Sequence, residues 1–187
     1  MDNPRTAGEA RRKWIEAVVV AVIVVLLLTM VAIVIRHTHE ASLTLRCRRR
    51  LISLFTAVQH YALSYGGHPP GQGAGAGGNW RGLIVPLLDA GEQGRAEREQ
   101  ILQCPAGGTY VGNRNILASG KTLSSFRLTL EVGVFADGGG GAAEAGGSAS
   151  FEWRHDGGVN VVFLDGHVER VTRGKSVRVR RHWDTPQ

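Results

Sequence analysis

The sequence predicts an α+β protein in which one long N-terminal helix, transmembrane in its first half, continues as the spine of a small β domain. Three observations predict it. Residues 17–35 hold nineteen positions without a charge. Apolar residues then recur in steps of three and four from Leu43 to Tyr65, with neither Gly nor Pro between the two stretches. Near the end of the chain, two strand-like runs flank Asp165-Gly166, a favoured hairpin turn.

The first stretch has the length and composition of a membrane span. Its eight Val, three Ile and three Leu, at about −0.3 to −0.6 kcal/mol each, contribute roughly −4 to −8 kcal/mol to insertion. About twenty helical residues cross a hydrocarbon core of roughly 30 Å. A cleaved secretory signal would share the basic start at Arg11, Arg12 and Lys13, but it needs a shorter apolar region and a small-x-small site, and none precedes Leu43. The span is therefore read as a retained anchor. Basic residues flank it on both sides, with Arg5, Arg11, Arg12 and Lys13 before and Arg36, Arg46, Arg48, Arg49 and Arg50 after, so the positive-inside count does not orient it. A short leader, residues 1–13, suits the cytoplasmic side, with the bulk of the chain exported.

The remaining elements follow in order. Residues 14–36 form the transmembrane helix and residues 37–66 its soluble half, with Leu43, Cys47, Leu51, Leu54, Phe55, Val58, Ala62 and Tyr65 on one face. A single helix over residues 14–64 is roughly 75 Å long. Gly66, Gly67, Pro69 and Pro70 end it. Residues 67–187 form a loop-rich β domain. Within it, residues 71–79 are a glycine-rich loop, residues 80–88 carry large apolar side chains interrupted by Pro86, residues 92–103 favour a helix, and Cys104-Pro105 is a loop. Residues 126–135 read as a strand. Residues 138–147 are a flexible connector rich in Gly and Ala, without the Lys-Ser/Thr ending of a phosphate loop. The hairpin spans residues 159–172 with Asp165-Gly166 as a two-residue turn, and a last strand is expected over residues 176–181.

The 187 residues, less leader and span, leave enough for one compact domain. Net charge is +6, with nineteen Arg against three Lys. The arginines at Arg46 to Arg50 and Arg170 to Arg181 would suit nucleic acid, anionic lipid or acidic polysaccharide. A solvated basic face beside a membrane is the preferred reading of both runs, because few aromatics interleave with the charges and no nucleic-acid module is recognised.

Candidate chemistry is sparse. His155, Asp156, Asp165 and His167 invite a metal reading. However, the strand between them covers about 20 Å at about 3.3 Å per residue. His155 and Asp165 therefore fall at opposite ends of it, and no metal or cofactor site is assigned. His155 is expected to bond backbone at the far end, with Gly157-Gly158 making a tight turn into the strand. Cys47 and Cys104, fifty-seven residues apart, leave two readings open: a disulfide worth roughly 4 kcal/mol if the domain is exported, or two buried thiols. Two cysteines at this spacing are too few for a zinc site. Catalytic motifs are absent. His37, His39, His60 and His68 read as interfacial or surface residues, and the protein is not expected to be an enzyme.

These pieces resemble the prepilin-type, or pseudopilin-like, bacterial proteins that carry a His, nine residues, then Asp-Gly. The motif here runs from His155 to Asp165-Gly166 within RHDGGVNVVFLDGHVERV, with Gly157, Gly158, Asn160 and His167 inside or beside it. The segment RCRRRLISLFTAVQHYALSYGGHPP resembles the family's Cys-led helix ending in Tyr, Gly and Pro-Pro. Trp80-Arg81-Gly82-Leu83 with Pro86, and Cys104-Pro105, resemble two shorter signatures in the expected order.

The resemblance implies a pilin-like fold, with a small antiparallel sheet packed on the outer half of the helix. It also implies a single pass through the bacterial inner membrane, a periplasmic or extracellular domain, and a structural or assembly role linked to type II secretion or type IV pilus-like systems. The implied partners are membrane lipid and other pilin-like subunits or copies of the chain. One departure concerns Glu16. If it is the carboxylate that neutralises a neighbouring subunit's amine, cleavage would fall between Arg11 and Arg12, where neither the usual Gly nor an aromatic stands, so processing is not expected. Glu16 otherwise reads as an interfacial carboxylate beside Arg12 and Lys13. The alternative function is a stand-alone anchored module that binds acidic polymers or lipid head groups through its basic C-terminal strand, Lys175 to Arg181.

Overall fold

The computed structural model describes residues 4–71, 80–88, 95–127, 130–139, 145–175, 179 and 183–184. The chain divides into two units, Met1–Ala41 and Ser42–Gln187. Helix α1, Pro4–Ser64, is continuous through the boundary.

In the first unit every described side chain from Arg12 to Ala41 is exposed, including Leu28 at 64% and Ile33 at 66%. Burying an aliphatic side chain is worth about 1.5–3 kcal/mol, and this stretch buries none of its Val, Leu or Ile within the chain. Its most apolar window has a mean hydropathy of 3.5, so the helix is long and apolar enough to cross a membrane.

In the second unit the three-four periodicity becomes a buried stripe. Cys47, Leu51, Leu54, Phe55, Val58 and Ala62 are 5% exposed or less. Leu43 is only half-buried and Tyr65 is exposed, which marks the two ends of the stripe. The helix stops at Gly66, whose φ of +65° is a left-handed conformation that glycine adopts freely, and the Gly67 N–H bonds back to the Ala62 carbonyl at 2.7 Å. That bond closes a Schellman cap.

Helix α2, Trp80–Ile84, passes into a 3-10 turn, Val85–Leu87, at Pro86, and α3 covers Arg95–Ile101. The sheet is built from β1 (Thr109–Asn113), β2 (Gly133–Gly138), β3 (Ala145–Gly146), β4 (Gly158–Phe163) and β5 (Val168–Thr172), in the order β3-β1-β2-β4-β5. A short helix α4, Arg114–Leu117, follows β1 and is capped by the Asn113 side chain, which accepts from the Asn115 N–H.

The sheet is mixed, not purely antiparallel as the sequence predicts, because β3 pairs parallel to β1. This strand lies inside the connector expected over residues 138–147. Its Ala-Gly dipeptide carries no hydrophobic pattern, and a Cβ on Gly146 would stand 2.6 Å from the Ser150 hydroxyl. The strand expected over residues 126–135 begins later, at Gly133. Phe126 instead closes a 3-10 turn, and β2 runs on through Asp137 with all six residues buried. A central strand buried on both faces shows no alternation to read.

The hairpin turn holds three residues, Leu164, Asp165 and Gly166, rather than two. Phe163 donates to the His167 carbonyl at 2.9 Å, and Gly166, at φ +91°, takes the left-handed bulge position. Residues 72–79 of the expected glycine-rich loop, residues 140–144 of the expected connector, and all of the expected last strand except Val179 lie outside the described residues.

Both sheet faces are covered. Against one face, α1 packs its stripe onto Tyr110, Val134, Phe135 and Val162, with Trp80 and Ile84 beside them. The other face, Val111, Ala136, Val159, Val161, Phe163 and Val171, lies under Phe151, Trp153, Val179 and Trp183.

Candidate functional site

Four chain segments meet at the end of the buried helix stripe. Cys47 comes from α1. Cys104 comes from a tight reversal in which its N–H donates to the Gly108 carbonyl at 3.0 Å and the Gly107 N–H donates to the Cys104 carbonyl at 2.9 Å. Gly107 and Gly108, at φ +97° and +69°, permit this fold-back into β1. Asp137 sits near the end of β2. His155 immediately precedes a turn into β4, with Asp156 and Gly157 both at positive φ as a type I′ turn requires. Paired bonds between His155 and Gly158, 3.2 and 2.9 Å, close that turn. Its central pair is thus Asp156-Gly157, one residue earlier than the Gly157-Gly158 expected.

The ligating atoms of Cys47, Cys104, Asp137 and His155 all lie within 4.8 Å of one another. Cys47 Sγ donates to Asp137 Oδ1 at 2.7 Å, and the two sulfurs, unbonded, are 3.5 Å apart. His155 Nε2 is 3.4 Å from both Cys104 Sγ and Asp137 Oδ2. An outer ring of polar groups holds three of these four. Thr44 Oγ1 is 3.2 Å from His155 Nδ1, Tyr110 donates its hydroxyl to Cys47 Sγ at 3.3 Å, and Asn160 donates to Asp137 Oδ2 from its backbone N and its Nδ2. Exposure of the four is 0%, 4%, 0% and 1% in chain order.

The electrostatics are those of a dry, crowded site. The Cys47 thiol is pushed up, first by its hydrogen bond with Cys104, then by burial and the Asp137 carboxylate. Cys104 is pulled down to about 4, chiefly by its bond with Cys47 and then, against burial, by His155. Burial raises the Asp137 carboxyl, opposed by the hydrogen bonds it receives from Cys47 and the Asn160 backbone. His155 is raised, mainly by its bond with Cys104. A reactive thiolate needs partial exposure to meet a reagent. As placed, these groups can share protons with one another, or two sulfurs, one imidazole and one carboxylate can close on an ion.

The sequence motifs are absorbed unevenly. His155 bonds side chains rather than the backbone partner expected for its ring, and it is not brought to Asp165 or His167. Those two pair with each other, Asp165 Oδ1 to His167 Nδ1, at 2.5 Å in the hairpin turn. Cys47 and Cys104 come together as neighbours. Asp137 was not singled out by the sequence, which gives no signal for it beyond a carboxylate at the end of an apolar run. Glu16 pairs with Arg12 at 3.0 Å, both exposed. Within the basic run after the span, Arg48 and Arg50 donate to the carbonyls of Val168 and Gln103, each at 2.7 Å. Of the basic C-terminal stretch, Lys175 and Val179 are described, while Arg178, Arg180 and Arg181 lie outside the described residues.

No protein-family model, curated protein or solved structure matches this chain.

Proposed function

We propose that this protein is a membrane-anchored, pseudopilin-like structural or assembly protein of the bacterial envelope, linked to type II secretion or type IV pilus-like systems. The observation that carries this reading is the continuity of α1. One helix presents a wholly exposed apolar half and then, without a break, the buried stripe on which the sheet is laid. Residues 17–35 would lie in the inner membrane, with the sheet domain in the periplasm or outside the cell. The partners are lipid and other pilin-like subunits or further copies of the chain.

Two further features support the reading. Each end of the His-to-Asp-Gly motif has an architectural place, His155 in the buried cluster and Gly166 against Phe55 of α1. The burial of the two thiols and the imidazole favours structure over catalysis. The Arg12–Glu16 pair supports an interfacial carboxylate at the lipid boundary.

A reporter fused after Gln187 tests the topology, and it is expected to be active outside the cytoplasm. Cytoplasmic activity would sink the proposal. The intact mass from native membranes is expected to be full length; loss of the first eleven residues would assign Glu16 the role of a filament subunit's carboxylate.

A further inference from the structure

We infer that Cys47, Cys104, Asp137 and His155 bind one divalent metal ion, zinc by their chemistry, in a closed structural site. This does not rest on the pseudopilin reading.

The donor set is the first argument. Two sulfurs, one imidazole nitrogen and one carboxylate oxygen match the ligands zinc takes, and four protein ligands with no open position define a structural rather than a catalytic zinc. Geometry is the second. Zinc bonds of about 2.3 Å to sulfur and about 2.0–2.2 Å to nitrogen or oxygen, set tetrahedrally, give edges of about 3.8 Å for S–S, 3.6 Å for S–N and 3.3 Å for N–O. The corresponding separations are 3.5 Å between the sulfurs and 3.4 Å from Cys104 Sγ to His155 Nε2, and one carboxylate oxygen of Asp137 lies within 4.8 Å of all three. One edge is short, Cys47 Sγ to Asp137 Oδ1 at 2.7 Å. A thiol proton closes that edge, and its loss on metal binding frees it to open.

The outer ring supplies the third argument. A histidine ligand is oriented by a partner on its other nitrogen, and Thr44 Oγ1 stands at Nδ1 and leaves Nε2 facing the cluster. Asn160 holds Asp137 Oδ2 and leaves Oδ1 on the cysteine side. Tyr110 directs a hydroxyl at Cys47 Sγ.

Charge supplies the fourth. Burying a carboxylate and ionisable thiols together is costly without a cation, and a divalent ion offsets most of three negative ligands. Binding displaces the thiol protons, and any proton on His155 Nε2, to water, and both sulfurs then ligate as thiolates. The ion would tie α1 to the Cys-Pro loop, to β2 and to the start of β4, and its binding free energy would become folding free energy.

The test uses the full chain extracted from its membrane in detergent without chelator. Metal analysis and thiol alkylation are expected to find one zinc per chain, with both cysteines unbonded and alkylated only after a strong chelator removes the metal. Stripped protein titrated with Co2+ should show thiolate-to-cobalt charge transfer and tetrahedral ligand-field bands that Zn2+ abolishes. Asp137→Asn removes a ligand; should that variant misfold, Thr44→Val removes the positioning contact to His155 without removing a ligand and is expected to weaken zinc binding about 10- to 100-fold with the thiol count unchanged. A Cys47–Cys104 disulfide in the membrane-extracted protein would overturn the inference. So would reduced protein that carries no zinc and takes up no cobalt, whatever the topology experiment gives.

Discussion

Asn160 grips the Asp137 carboxylate twice, its backbone N–H at 2.7 Å and its side-chain Nδ2 at 3.0 Å, both on Oδ2. Both residues are fully buried, so neither group can exchange the other for water. A hydrogen bond to a charged group is worth about 1.5–3 kcal/mol, and leaving a buried polar atom unmet adds to the loss. Asn160→Ala keeps the backbone bond and removes the other. It is expected to lower stability by about 2–3 kcal/mol in denaturant unfolding. Asn160→Asp sets two carboxylates together and should lose more.

Gly166 is constrained by its backbone and by its neighbour. Its φ is +91°, and a Cβ there would stand 3.1 Å from the Phe55 ring. A side chain in the left-handed region costs about 1–2 kcal/mol. Gly166→Ala is expected to destabilise by at least that amount. Pairing it with Phe55→Ala should recover the crowding part and not the backbone part, a non-additivity that a double-mutant cycle reads directly.

Trp183 seals the second sheet face. It is fully buried against Phe151, with ring centroids 4.8 Å apart, and its Nε1 donates to the Gly146 carbonyl at 2.9 Å. Trp183→Ala is expected to cost about 3–5 kcal/mol. Trp183→Phe should forfeit mainly the hydrogen bond, about 1 kcal/mol. Thermal melts of the two variants would separate packing from bonding.

Leu27 lies in the middle of the exposed apolar half of α1. An arginine at the centre of a span costs about 2.5–3.5 kcal/mol of insertion free energy. Leu27→Arg is expected to lower the share of protein that resists alkaline extraction from membranes. Glu16→Gln, which breaks an exposed pair worth about 0.3–0.5 kcal/mol, should leave that share unchanged.

How much the sequence revealed depended on the range of each interaction. The α1 stripe was legible because one helix face is a local pattern, and Cys47, Leu51, Leu54 and Phe55 are buried as their spacing requires. The hairpin was legible for the same reason, although Leu164 joined the turn. The cluster was not. Cys47 and Asp137 are ninety residues apart, and no local period links them. Geometry correctly separated His155 from Asp165, but its true partners depend on how β2 registers against β4, where Ala136 pairs with Val161 after a bulge. A register slip of one residue sends a side chain to the opposite face, so a carboxylate such as Asp137 acquires its meaning only once the strands are paired.

The described edges of the sheet carry a last consequence. At one end stands β3, two residues long, and at the other β5, with Glu169, Arg170 and Thr172 turned to solvent. Short or charged edges resist the addition of a further strand. Copies approaching sheet to sheet would have to strip water from those charges for very little hydrogen bonding. Polymer growth through backbone pairing, the route that leads to cross-β deposits, is therefore resisted at both described edges.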